Sequence, residues 1–218
     1  MDYVISLLGP LSQGAVVTLK LFAITLALSI PLGLVLALAR LSRFAGLRAF
    51  VGGYIWLMRG TPLMLQILVV YFGPYYFFRI PLSTNYRFYA VILAFVINYA
   101  AYFAEIYRGG YDSIPKGQFE AAELLGYSRT QTFTRIILPQ LIKVILPSIT
   151  NEVITLIKDT SMAFTVAVTE MFTIAKSIAA AQKTMVPFIV AGVFYYVFNY
   201  VTAWVMAKIE KHFSYYHM

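Results

Sequence analysis

Five apolar runs, each near the ~20 residues a helix needs to cross a bilayer, alternate with polar breaks along the chain. The first, Gly14 to Ala39, is interrupted only by Lys20, whose long stem lets its charge snorkel to the outer interface. Neighbouring helices can satisfy the backbone freed by Pro31 and Gly33. Ser29, Gly33 and Ala37 form a small-residue ridge suited to close helix packing. The second run, Val51 to Phe78, is too long for one span and holds a break: Thr61 followed by Pro62 reads as an N-cap with proline at the first helical position. The span proper is therefore Pro62 to Phe78, and Gly52 to Arg59 reads as an interfacial helix with Arg59 anchored among the head groups. Phe88 to Tyr107 follows, with Asn98 at mid-depth and Glu105 near its inner end. Val144 to Phe172 and Met185 to Ala207 complete the set, with Lys176 and Lys183 in the loop between them. Lys208, Glu210, Lys211 and His212 begin a wet tail. The pattern predicts an all-α integral membrane protein, a single transmembrane domain over residues 1–218 with about five transmembrane helices.

The longest stretch that a bilayer would reject is Gln118 to Pro139, within a loop of about residues 108–143. Phe119 to Leu125 is made of helix formers, and Gly126 is suited to end a helix in the left-handed conformation. Ser128 offers a new N-cap, and Gln131 three residues on completes a capping box. Pro139 marks where the second helix stops or bends. Two short helices around a turn at a membrane surface can receive force from a partner and pass it to the flanking spans.

Composition narrows the class. At 218 residues, 61% hydrophobic and 12% charged, the chain is too apolar for a soluble globular domain. The net charge of +8 is distributed between apolar runs rather than along one stripe, so it reads as membrane topology and not as a nucleic-acid surface. With the carboxyl terminus inside, eleven Lys and Arg fall on the inner side and four (Arg79, Arg87, Lys176, Lys183) on the outer side, Lys20 and Lys158 lying within spans. That asymmetry places the N-terminus outside and the long polar loop inside the cell. The chain has no cysteine, hence no disulfide, thiolate metal site or lipid-anchored cysteine. The N-terminus lacks a basic stretch and a small-residue cleavage site, so no removed signal peptide is expected. His212 and His217 are the only histidines, and no Gly-Lys-Ser/Thr is present, so ATP could be hydrolysed only by another chain. No cofactor and no catalytic residue is expected.

Three ordered motifs carry a family resemblance. Glu120-Ala121-Ala122, then Gly126, then Ile136-Ile137-Leu138-Pro139 match the EAA loop of the membrane permeases of ABC importers. Arg59-Gly60-Thr61-Pro62-Leu63, with Gln66 and Tyr71-Phe72-Gly73, resembles the polar amino-acid permeases of that family, as does Lys158-Asp159-Thr160-Ser161. The resemblance implies two membrane subunits, two cytoplasmic ATPase subunits and an external solute-binding protein in a bacterial inner membrane. In it, Phe119, Glu120, Ala121, Ala122, Leu125 and Gly126 would couple to the ATPase, with Phe119, Ala122 and Leu125 as the apolar docking face. The second membrane subunit is expected to be a copy of the same chain, meeting it through the ridge at Ser29, Gly33 and Ala37. A secondary transporter or channel subunit working without ATP is the alternative, but it leaves the long inner loop and Gly126 unexplained.

The fourth run is the polar anomaly. Glu152, Thr155 and Asp159 recur at i, i+3 and i+7, on one helical face. Ionisable groups at such depth cost at least about 2.5–3.5 kcal/mol each, so they face the bundle interior or water. These three are the leading contacts for an amino-acid substrate, and their excess of negative charge over Lys158 favours a basic one. Asn98 and Gln66 are secondary candidates, equally able to hold helices together.

Overall fold

The computed structural model describes residues 2–213, and those residues are helical wherever they are regular. Helix α1 runs from Asp2 to Arg40, α2 from Ala45 to Gly60 and α3 from Leu63 to Phe78. After a loop, α4 spans Tyr86–Asp112, α5 Lys116–Leu124 and α6 Arg129–Gln131. A π-helical turn, Thr132–Ile137, leads into α7, Leu138–Asp159, and a 3₁₀ segment, Thr160–Val166, ends it. Helices α8, Met171–Gln182, and α9, Val186–Phe213, complete the described chain.

Four segments are long and apolar enough to cross a membrane: α1, α4, the continuous stretch Arg129–Val166, and α9. Helices α2 and α3 meet at 110°, and the number of spans reaches five if that bent pair is counted as one. At 1.5 Å per residue the 16 residues of α3 reach only about 24 Å, short of the ~30 Å hydrocarbon core. The break falls where expected, shifted by one residue: Pro62 is the N-cap of α3, and Thr61 closes α2.

Several boundaries differ from the pattern of hydropathy. Helix α1 begins at Asp2 rather than Gly14, because Leu7, Leu11 and Ala15 pack against Met171, Ala175 and Val190. The fourth run is not one span to Phe172. It leaves α-helical geometry at Thr160, turns at Ala167 with φ of +56°, and restarts as α8. The stretch holding Lys176 is that helix, and Lys183 is its left-handed C-cap. Pro139 does not stop its helix either. The ring and its missing N–H disfavour an ordinary turn, the preceding turn widens to the π form with Leu138 N–H donating to Phe133 O, and α7 continues. The tail through His212 belongs to α9, and His217 lies outside the described residues.

Helices α1 and α4 form the central seam. Gly33 sits so close to α4 that a Cβ there would fall 2.7 Å from the Cβ of Phe103 and 3.1 Å from the Ala100 carbonyl oxygen. Ser29 and Ala37 are buried in the same seam, at 0% and 2% exposure. The small-residue ridge is therefore spent on packing within the chain, against α4, and is not free to meet a second subunit.

Candidate functional site

Helix α7 presents Glu152, Thr155 and Asp159, all half-buried, on the face that meets α4. The neighbouring α4 surface supplies Tyr99, whose hydroxyl donates to Asp159 Oδ2 at 2.7 Å. Tyr99 is 2% exposed, and its ring is fixed by parallel stacking on Phe95 at 6.3 Å. One turn further, Tyr102 carries the guanidinium of Arg59 over its ring, 5.4 Å from the centroid. The charges acting on Glu152 are Arg59 and Asp159. Lys158 is exposed; its charge acts on Asp159, but among the described residues it forms no ion pair with Glu152 or Asp159. Glu152 itself is engaged by no hydrogen bond or ion pair among those residues. The cluster thus holds two carboxylates with one phenol between them and a guanidinium at its edge. Such a set can bind an ammonium or guanidinium through the carboxylates and orient a carboxylate toward Arg59.

Gln66 and Asn98 come together, but with each other and the end of α2. Asn98 Nδ2 donates to Gln66 Oε1 at 2.9 Å and to Met58 O at 3.0 Å. Gln66 Nε2 donates to Met58 O at 2.9 Å and to Thr61 Oγ1 at 2.8 Å. These bonds satisfy carbonyls that the end of α2 would otherwise leave orphaned, and they fix the sharp corner that carries Arg59. Glu105, at the inner end of α4, is taken up by the guanidinium of Arg108.

The loop between α4 and α7 has the expected local build. Gly126 has φ of +78°, Gly126 N–H donates to Glu123 O and Tyr127 N–H to Ala122 O, both at 3.0 Å. That pair of bonds is a Schellman motif, and it requires the left-handed residue that glycine supplies. Ser128 caps α6, its hydroxyl accepting from Gln131 N–H while Gln131 Oε1 accepts from Ser128 N–H. The apolar face of α5 is composed differently from the sequence reading. Ala122 is 1% exposed and faces the body, while Phe119 is half-buried with its ring edge-on to Tyr111 at 5.9 Å. The exposed pair is Leu124 at 89% and Leu125 at 74%, so Leu124 joins the surface and Ala122 leaves it. Glu120 and Ala121 are exposed beside them. A cleft of about 380 Å³ opens between the two short helices, lined by Phe119, Glu123, Tyr127 and Phe133 among others.

Residues 29–215 match the family described as binding-protein-dependent transport system inner membrane component. The chain belongs to that family. A putative glutamine transport system permease of Rickettsia typhi is 34% identical over 200 residues, covering 91% of this chain and 90% of that protein. The arginine transport system permease of Bacillus subtilis is also 34% identical, over 203 residues, covering 91% and 90%. A crystal structure of an amino acid ABC transporter with histidines superposes with a TM-score of 0.87 at 29% identity, covering 95% of this chain and 96% of that one. The protein is accordingly a multi-pass inner-membrane permease of the amino-acid ABC importer type, and the alternative of a channel or secondary transporter is set aside.

Two residues of the site were not singled out from the sequence, and a third was given a different role. Tyr99 and Tyr102 look like ordinary interfacial aromatics, and Arg59 reads as an anchor until the α2–α3 corner turns it toward α4.

Proposed function

We propose that this permease forms the translocation path of an ATP-driven importer of basic amino acids. The observation that carries the reading is the pair Glu152 and Asp159 on one face of α7, with Asp159 held by the Tyr99 hydroxyl and neither carboxylate in an ion pair among the described residues. In a low-dielectric path, two carboxylates favour a solute that brings at least one positive charge beyond its own zwitterion. Arg59 then serves the solute carboxylate, with Gln66 and Asn98 holding the corner behind it rather than touching the solute. The arginine and histidine named for the relative and the solved transporter agree with that charge, whereas the glutamine of the other relative requires only the zwitterion.

ATP is hydrolysed by two separate cytoplasmic subunits, which grip α5 at Leu124 and Leu125, and an external binding protein delivers the solute. A second copy of this chain completes the path, meeting it on a surface other than the α1–α4 seam. Reconstitution tests the assembly as a whole. A preparation purified through a tag on this chain should retain the ATPase subunits and a differently tagged copy. It should then take up arginine only with ATP and binding protein, with lysine competing better than glutamate. Equal competition by glutamate would reject the basic-substrate reading.

The asymmetry of basic residues supports an external N-terminus and an internal α5–α6 loop. Because the chain has no cysteine, single cysteines report sidedness cleanly. A membrane-impermeant thiol reagent added outside should label Thr84→Cys and spare Arg129→Cys. The opposite pattern would invert the topology.

A further inference from the structure

The loop between α3 and α4 meets the turn between the 3₁₀ segment and α8 across a cavity of about 420 Å³, whose lining includes none of the α7 residues. Its polar lining is Thr84 and Asn85 from the loop, Arg87 from the start of α4, and Thr169 from the turn. Arg87 is fixed in place. Its Nε donates to the Tyr71 hydroxyl at 3.2 Å, and Tyr71 is 7% exposed with its ring stacked on Tyr86 at 6.0 Å. That bond uses one of the five N–H donors a guanidinium carries. No carboxylate pairs with Arg87 among the described residues, and no acidic residue lines the cavity. The side chains of Thr84, Asn85 and Thr169 likewise enter no hydrogen bond among those residues.

A fixed guanidinium with unspent donors and no acid beside it suits a planar anion, and a carboxylate fits its fork through two parallel bonds. The hydroxyls and the amide oxygen around it can accept from an ammonium. Together these groups match the two charged ends of an amino-acid zwitterion. The remaining lining, Val17, Phe88 and Val168 among others, is apolar and offers a side chain contact without charge. The volume falls within the ~300–1,000 Å³ typical of small-ligand sites. The turn that brings Thr169 to the cavity holds Ala167 at φ of +56°, a conformation that alanine resists. Tyr71, Val168 and Tyr99 are buried in one apolar cluster, so the cavity floor and the Tyr99–Asp159 pair share one packed body, about three turns apart along α4.

We propose that this cavity is a second amino-acid site, an outer one, in which Arg87 holds the α-carboxylate of the solute before it reaches α7. The external position rests on the topology proposed above, in which the α3–α4 loop faces out; the binding itself does not. The outer site reads the carboxylate and ammonium common to all amino acids, whereas the α7 face reads the added positive charge. Arginine and glutamine should therefore bind it alike. Argininamide keeps the side chain and the ammonium but has no carboxylate, and should bind at least about tenfold more weakly.

The test uses the purified complex with its ATPase subunits in detergent, without binding protein, so that sidedness and delivery play no part. Tyr89 lines the cavity and is 65% exposed, and Tyr89→Cys places the only thiol in a chain that has no cysteine of its own. The rate at which a thiosulfonate reagent modifies it should fall severalfold with saturating arginine or glutamine, with half-protection at about 1 mM for one charge-assisted pair in a half-exposed site. In the same probe background Arg87→Gln should abolish protection, and Arg87→Lys, which keeps the charge without the fork, should raise the half-protecting concentration about tenfold. An unchanged rate without solute shows that the cavity of each variant is intact. Protection by arginine should persist in Glu152→Gln, which removes the deeper contact. Absence of protection, equal protection by arginine and argininamide, or undiminished protection in Arg87→Gln would each overturn the proposal, and the comparison of acid with amide needs no variant at Arg87. Loss of protection in Glu152→Gln would also overturn it, by placing the bound solute at α7 alone. Failure of the basic-substrate reading shows separately, in uptake competition, and leaves these outcomes unchanged.

Discussion

Gly126→Val is expected to separate ATP hydrolysis from transport. Gly126 holds φ of +78°, and no atom lies within 4 Å of where a Cβ would stand, so the obstacle to valine is the backbone and not the space. A non-glycine residue in the left-handed region costs on the order of 1–3 kcal/mol, and a branched Cβ sits at the upper end. The Schellman bonds at Glu123 and Ala122 are the only structure that this strain must break to be relieved. Once they open, α5 loses its fixed direction relative to the capping box at Ser128, and Leu124 and Leu125 no longer present one surface. The spans are untouched, because Gly126 packs on none of them. The protein should insert at wild-type levels, bind ATPase subunits less firmly, and consume at least about tenfold more ATP per arginine moved, the penalty that roughly 1.4 kcal/mol of misdirected docking implies. Gly126→Asn is the matched control, since asparagine tolerates the left-handed conformation and should keep most of the coupling. Wild-type stoichiometry in the valine variant would show that α5 transmits force without a fixed hinge.

The build of the loop between α4 and α7 was readable from sequence because its determinants are local. A glycine at the end of a helix, and Ser128 with Gln131 three residues on, specify their hydrogen bonds with little help from the rest of the fold. The face that α5 exposes was less readable. Helical spacing relates Phe119, Ala122 and Leu125 to one another, but which arc turns inward depends on Tyr111 and on the path of α4. The ridge of Ser29, Gly33 and Ala37 makes the same point for the membrane. Small residues announce close packing and do not name the partner, and here the partner is α4 of the same chain.

The fourth apolar run misled for a different reason. Hydropathy averages over Thr160 to Glu170 and sees a span, since Met162, Ala163, Phe164 and Val166 outweigh the polar residues among them. What ends the helix is tertiary: Thr18 and Tyr195 arrive from α1 and α9 to receive Glu170, and the cap of α8 forms around them. Glutamate is not a usual N-cap residue, so nothing in the window Thr169 to Thr173 signalled a helix start. The i, i+3, i+7 face of Glu152, Thr155 and Asp159 survived this error because it lies wholly before the break.

That face carries the second large prediction. Glu152→Gln should remove the preference for a cationic solute while sparing a neutral one. The two carboxylates are not equivalent: Asp159 already accepts from the Tyr99 hydroxyl, whereas Glu152 has no bonded partner among the described residues and is free to receive an ammonium or guanidinium. Arg59, on the rim above Tyr102, is too distant to form an ion pair with it and too well placed for the solute carboxylate to waste. Glutamine keeps the shape and the hydrogen-bonding oxygen of glutamate but not the charge, so packing on α7 is preserved. A hydrogen bond to a charged group contributes about 1.5–3 kcal/mol, which predicts a rise of roughly ten- to a hundredfold in half-saturating arginine. Glutamine uptake gains nothing from that charge and should change by less than about threefold, so the ratio of the two, taken in the same vesicles, is the quantity to measure. Asp159→Asn should shift the ratio less, because Tyr99 shares its charge before the solute arrives. If the ratio is unmoved in Glu152→Gln, the carboxylate faces a structural neighbour in the assembled transporter, and the permease selects polar amino acids without regard to their charge.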